Sequence, residues 1–391
     1  MIIKQLFTPS ILIPFFSSMI MTIWIFRLVV KLAIKKDIVD CPNARKLQKT
    51  PVPVMGGFAV YFGIIAGAGL TSMVFDTSIL FSTIVALTVM MYFGLMDDSI
   101  GLKPLTRIIV EAVLVFFIIR MDGVNFNSFQ GIFGIWDLPT WCAYLLSAIA
   151  GVGIINAINM IDGVDGLSSG FCILACVAFG CVFKLSHDGT MAVIAALGAG
   201  ALIPFFIHNI FGRSTKMFIG DSGTMMMGML MTIFLLHLMD HGSMVAFNFS
   251  NMGVGAFALS ILSVPVFDTL RVMTGRIMRG ISPFHADKSH LHHLFIEIGF
   301  SHVGTALMVI SLDFLCFLIW LISYQVFRCS VTMQFIVVVV VGVANTTGFY
   351  FTVRRMNHDR WAYRLLAAMA RRSHVEMKPW FLKVRKVVDK M

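Results

Sequence analysis

Charge is what this chain has least of. Only 13% of its 391 residues are Asp, Glu, Lys or Arg, while 58% are hydrophobic. That balance excludes an ordinary soluble domain, in which about a quarter of residues are charged. Cysteine is scarce as well: there are seven, an odd number without paired spacing, and Cys172, Cys176 and Cys181 share one apolar run. They read as small packing groups, so no disulfide framework or cysteine zinc site follows. No repeat, low-complexity tract or long linker divides the sequence. The first apolar run lacks a small-residue cleavage site before its basic flank and reads as a retained helix. The expected organisation is one transmembrane catalytic domain over 1–352, followed by a basic cytoplasmic tail over 353–391.

What the chain does have is hydrocarbon in bilayer-spanning lengths. Runs of about 17 to 25 apolar residues suit a helix crossing a ~30 Å core. Eleven such runs lie near 11–33, 54–75, 78–96, 105–121, 139–158, 168–185, 190–211, 222–239, 252–270, 303–325 and 332–352. The fold class is therefore an all-α polytopic membrane protein. One alternating set of connections, together with the tail, holds 25 of the 30 Lys and Arg residues. Short basic loops stay cytoplasmic, which places the N-terminus outside and the tail in the cytoplasm. The net charge of +10 is thus a topology signal, and no nucleic-acid partner is needed to explain it. The tail residues Arg360, Trp361, Arg364, Arg371, Arg372, Trp380, Lys383 and Arg385 suit a surface of anionic lipid headgroups.

The polar residues gather on the cytoplasmic side. "DCPNARKLQKTPVPVMGG" (40–57) combines turn residues with Arg45, Lys46 and Lys49; ordinary positive-inside charge explains it equally well. "GLMDDSIGLKPLTR" sets Asp97 beside Asp98 at a helix end, where the pair needs a cation or a proton, and Lys103 and Arg107 follow. In "NAINMIDGVDGL" (156–167), Asn156 and Asn159, like Asp162 and Asp165, are three residues apart, so each pair projects roughly from one helical face. Such oxygens suit magnesium; an Asn/Asp/Gly helix-ending turn is the alternative. In "RSTKMFIGDSG", Asp221 either caps the next helix or gives a second ligand to the same metal. "RGISPFHADKSHLHHLF" (279–295) crowds His285, His290, His292 and His293 with Arg279, Asp287 and Lys288. That loop is a phosphate-binding surface or, as a rival, a zinc site.

Taken in order, "DDSIGL", "NAINMIDGVDGL", "FIGDSG" and "SPFHADKSHLHHLF", preceded by "DCPNARK…PVPVMGG", resemble the polyprenyl-phosphate N-acetylhexosamine-1-phosphate transferase family over about residues 37–300. Within it, the chain is most similar to the bacterial branch that uses UDP-N-acetylglucosamine and undecaprenyl phosphate. His-Leu-His-His favours that branch over the muramoyl-pentapeptide branch, which has three adjacent histidines. The resemblance implies a multi-pass protein of the bacterial cytoplasmic (inner) membrane, with its active site on the cytoplasmic face. It implies magnesium, with manganese able to substitute, and leaves room for a homodimer. The lipid phosphate attacks the sugar-bearing phosphorus of the donor and UMP leaves. Asp221 and Asn159 match metal-holding positions, and Asp97 and Asp98 match an aspartate pair near the lipid phosphate. Arg107 matches a basic residue facing phosphate, Asp162 and Asp165 match essential acids, and His290, His292 and His293 match the donor-phosphate motif. Asn156, Arg45 and Arg279 complete the candidate substrate contacts.

Two residues depart from that pattern. Gln48 stands where relatives often have histidine, and Asp313 lies inside the tenth run with no motif around it. A protonated, helix-packing carboxyl is the expectation for Asp313. Two other function classes compete with the transferase. One is a transporter, which would place its site near the bilayer midplane between related halves. The other is a zinc-dependent membrane hydrolase built on the histidine loop.

Overall fold

The computed structural model describes residues 6–40, 51–72, 80–240, 245, 248–249, 251–285 and 287–390. As far as they are described, all eleven apolar runs carry helix. They form α1 (Pro9–Lys35), α2 (Gly56–Ser72), α3 (Leu80–Ile100), α4 (Pro104–Asp122), α5 (Thr140–Met160), α6 (Leu167–Leu185), α7 (Gly189–Phe211), α8 (Gly220–Met239), the pair α9 (Val254–Ile261) and α10 (Ser263–Met278), then α12 (His302–Gln325) and α13 (Val331–Val343). A π-helical turn (Ala344–Gly348) joins α13 to α14 (Phe349–Arg355). Short α11 (Leu291–Ile298) precedes α12, and α15 (Trp361–Arg372) and α16 (Pro379–Val388) form the tail. The only sheet among the described residues is the two-stranded antiparallel β1 (Val39–Asp40) and β2 (Val52–Pro53).

Among the described residues, eight helices are long and apolar enough to cross a membrane, or nine if α9 and α10 count as one. Three runs differ from the simple expectation for physical reasons. Helix α2 has 17 residues, and α4 carries Arg107, Glu111, Arg120 and Asp122. The run expected as one span at 252–270 breaks at Leu262, where α9 and α10 meet at 73°. Pro265 explains the break: it has no N–H to give, and its ring clashes with the carbonyl four residues back, so it is tolerated only in a first turn. Asp313 holds the fracture, its Oδ1 accepting from Ser263 Oγ (2.8 Å) and Val264 N (2.9 Å). The intramembrane acid thus has its partners, the exposed donors of a helix start.

Helix α8 runs through the middle of the bundle, its apolar residues all buried, and packs against α3, α5 and α2. It belongs to one large core. A second, smaller core joins Val164 and Leu167, Leu291, Leu294 and Phe295 of α11, Val264, and Ala370 of α15. This second core fixes the histidine helix against the loop that follows α5.

Candidate active site

A helix start leaves backbone N–H groups without partners, and for α8 the acceptor comes from another helix. Asp98 Oδ1 accepts from Asp221 N (2.8 Å), and its Oδ2 accepts from Ser222 N (3.2 Å). The capping role that the sequence offered to Asp221 therefore falls to Asp98, which frees the Asp221 carboxylate. The approach is close: Gly220 has φ +70°, and a Cβ there would lie 2.5 Å from Asp98 Oδ2. Only glycine fits both the left-handed backbone and the gap.

Arg107, in the first turn of α4, ties three helix ends together. Its Nη1 lies 2.8 Å from Asp97 Oδ2 and 3.9 Å from Asp221 Oδ2, and its Nη2 donates to Asn159 Oδ1 at 3.0 Å. Asn159 Nδ2 in turn donates to Asp221 Oδ1 (2.6 Å) and Thr224 Oγ1 (2.8 Å). Asp97 also accepts from Leu102 N (2.6 Å), closing the turn after α3. The adjacent carboxylates are thus offset separately, Asp97 by a guanidinium and Asp98 by two N–H groups and the positive end of a helix.

The chain between α5 and α6 supplies the next two acids. Asp162 accepts from Ser168 Oγ. Asp165 Oδ2 lies 2.6 Å from Lys216 Nζ and 3.2 Å from His302 Nδ1. Burial pushes its carboxyl up, but these two partners outweigh burial and hold it below the usual carboxylate range. Asp97, Asp98, Asn159, Asp162, Asp165, Lys216, Asp221, His293 and His302 all line one cavity of about 930 Å³, together with Val39, Asp40 and Phe218.

From this wall inward the histidines pack ring against ring, His290 and His292 stacked and His293 tilted. Rings His290 and His292 are 5.6 Å apart, and His292 and His293 are 4.3 Å apart. Asp268 fixes His290 through Nδ1 at 2.9 Å and pairs with Arg271 at 2.6 Å, and Arg271 lies 3.8 Å over the Tyr350 ring. His292 is buried against Gly163, where a Cβ would meet its Nε2 at 2.1 Å. Gly163→Ala is accordingly expected to push α11 off the aspartate loop and raise the KM for the nucleotide sugar roughly tenfold. Steady-state kinetics check this, and an unchanged KM would detach the histidine helix from donor binding.

Burial, with the neighbouring His290 and Lys288 charges, lowers His293 to about 4, and burial drives His292 well below its ordinary value. Both rings are neutral at pH 7. The unfolded chain takes up these protons near pH 6.5, whereas folded His293 does so only near 4. Stability is therefore expected to fall as pH drops from about 6.5 towards 4. Melting curves across that range test this, and His293→Gln should flatten the slope.

Not every sequence candidate reaches the cavity. Asn156 turns to Glu111 within the bundle, donating to its carboxylate and to Val152 O. Arg279 is exposed and pairs with Asp287 (3.1 Å), which also holds buried Arg276 (2.8 Å). His290 and His292 back the site, and His293 reaches its lining. Arg45 and Gln48 lie outside the described residues. The structure adds Lys216, His302 and Asp268. Asp268 carried a legible signal, an acid inside an apolar run; His302 carried none, lying 137 residues from its partner.

Comparison with known proteins identifies the family. Residues 80–239 match the model of glycosyl transferase family 4. The chain is 32% identical over 283 residues to an undecaprenyl-phosphate alpha-N-acetylglucosaminyl 1-phosphate transferase of Salmonella typhi, covering 72% of this chain and 74% of that one. It is 32% identical over 316 residues to a decaprenyl-phosphate N-acetylglucosaminephosphotransferase of Mycobacterium leprae, covering 75% and 78%. The Escherichia coli K12 relative, which bears the same name as the Salmonella protein, is 29% identical over 69% of this chain and 72% of its own. With its carboxylates, Asn159 and His293 converging on one cavity at the end of a helix bundle, the chain belongs to glycosyl transferase family 4.

Proposed function

We propose that this enzyme transfers N-acetylglucosamine 1-phosphate from UDP-N-acetylglucosamine to undecaprenyl phosphate. The observation that carries the reading is the cavity at the helix ends, where an interfacial lipid phosphate and a water-soluble donor can meet. An oxygen of the lipid phosphate forms a bond to the sugar-bearing β-phosphorus. The bond from that phosphorus to the bridging oxygen breaks, and UMP leaves with that oxygen. A phosphate monoester is largely dianionic near neutral pH, its second pKa being about 6, so it needs little help from a base. Positioning and charge neutralisation then carry the rate. Lys216 lines the cavity, Arg107 sits behind its wall against Asp97 and Asp221, and neutral His293 is placed to hydrogen-bond a diphosphate oxygen. Asp98 keeps α8 in place, while Asp97 holds Arg107.

The donor set fits magnesium. Asp221 has a half-open carboxylate on the cavity, with Asn159 hydrogen-bonded to it. Magnesium keeps several waters and is held by one or two carboxylates plus substrate phosphates. Bound there, it would neutralise the diphosphate and the departing UMP. A zinc hydrolase fits less well: among the described residues, no three His, Cys, Asp or Glu side chains group as a metal cage would require. A transporter is disfavoured because the cavity lies at helix ends, whereas transporter sites sit near the bilayer midplane between repeats. The basic loops support a cytoplasmic cavity in the bacterial inner membrane.

The product tests the reading. Purified enzyme given undecaprenyl phosphate and a panel of UDP-N-acetylhexosamines is expected to form, with the N-acetylglucosamine donor, a lipid heavier by one N-acetylhexosamine phosphate. Mass spectrometry reads this; formation of product only with another donor would overturn the sugar assignment.

A further inference from the structure

Lys216 and His302 hold Asp165 from two separate turns, and both turns are fastened from outside the helix bundle. We propose that the C-terminal segment 373–389 is a strap that positions Asp165 for catalysis by bracing the turns that carry its two partners, which makes Asp389 and Ser373 positioning residues. The proposal rests on the reading of Asp165 and Lys216 as site residues.

The first anchor is Asp389. Its Oδ1 accepts from Arg213 N (2.9 Å), Ser214 N (3.0 Å), Ser214 Oγ (3.0 Å) and Thr215 Oγ1 (3.3 Å), the three residues that lead directly into Lys216. Thr215 Oγ1 also pairs with the buried His208 ring at 2.9 Å, so the turn is held from both sides. The second anchor is Ser373. Its Oγ accepts from Ser301 N (3.0 Å), and its carbonyl accepts from Ser301 Oγ (2.7 Å), the residue directly before His302. His374 adds a hydrogen bond to Gly299 O at 3.0 Å. Between the anchors, fully buried Phe381 packs on Phe211 with ring centroids 4.8 Å apart, and Arg385 Nε donates to the Phe211 carbonyl that ends α7.

Independent support comes from Gly304, in the first turn of α12. A Cβ there would lie 2.3 Å from the Ser373 Cβ, so the helix accepts the strap only because this position has no side chain. Each anchor thus lands one residue before a partner of Asp165. A tail that served only as a cover would have no reason to engage both turns at those places.

The test uses the full chain with steady-state UMP release and melting temperature as readouts. Asp389→Ala and Gly304→Ala are each expected to lower kcat roughly tenfold, with the KM for both substrates within roughly twofold and an unchanged melting temperature. Asp389→Asn keeps an acceptor oxygen and should recover most of the rate. Wild-type kcat in Asp389→Ala and Gly304→Ala would overturn the strap. So would a loss that tracks a lowered melting temperature and is not relieved by Asp389→Asn. Lys216→Ala separates the two levels of the argument: full activity there removes the site reading itself, whereas a loss there with intact strap variants removes the strap alone.

Discussion

Asp221→Asn is expected to cut turnover about 10³-fold or more while leaving the melting curve in place, an effect of the size seen when a charge-stabilising group leaves an active site. The substitution is nearly isosteric, and the two hydrogen bonds that hold Asp221 in position do not depend on its charge; only the long 3.9 Å contact to Arg107 does. Its backbone N–H reaches Asp98, and Asn159 Nδ2 reaches its side-chain oxygen. What the amide lacks is the negative charge that faces the cavity, beside an Asn159 whose own oxygen is already engaged by Arg107. Steady-state UMP release and a thermal melt check both halves. Full activity would take the metal-holding role away from Asp221.

Arg107→Ala is expected to act on rate and fold together. The guanidinium serves Asp97, Asn159 and Asp221 at once, and the Asp97 side chain is only 6% exposed. Removing one partner of a buried pair leaves the other charge unpaired; because the arginine is itself partly open, the cost should be about 2 kcal/mol. Turnover should fall about 10²-fold, since a cation near the transferring phosphoryl group goes as well. Arg107→Lys restores the charge but not the fork that spans three partners, so it should regain stability more than rate. Denaturant unfolding alongside kinetics separates the two effects. Equal recovery of both by lysine would show that charge alone matters there.

Much of this site was legible before any coordinates, because the motifs place polar side chains where hydrocarbon surrounds them and a purely structural explanation is costly. Asp97, Asp98, Asn159, Asp162, Asp165, Asp221 and His293 meet at one cavity as adjacent helix ends require. What spacing could not reveal is how roles divide between neighbours. Asp98 turned out to be the cap of α8, an assignment made by a contact 123 residues away in sequence, and Asp97 the partner of Arg107 at the start of the next helix. Asn156 shares a helix with Asn159 yet faces Glu111, because three residues on a helix carry a side chain only roughly back to the same direction. Helix-forming runs were equally plain, but the fracture at Leu262 lay inside a run of spanning length, with Pro265 its local trace. Lys216 and His302 belong to tertiary structure entirely, since their meeting at Asp165 depends on how separate turns pack.

The most direct test of the central claim is UMP release by the purified enzyme with undecaprenyl phosphate and UDP-N-acetylglucosamine, measured with magnesium, after EDTA, and after magnesium is restored. The account predicts UMP that requires the lipid, vanishes with EDTA and returns with the metal. UMP release that continues undiminished in EDTA, or that needs no lipid, would contradict it.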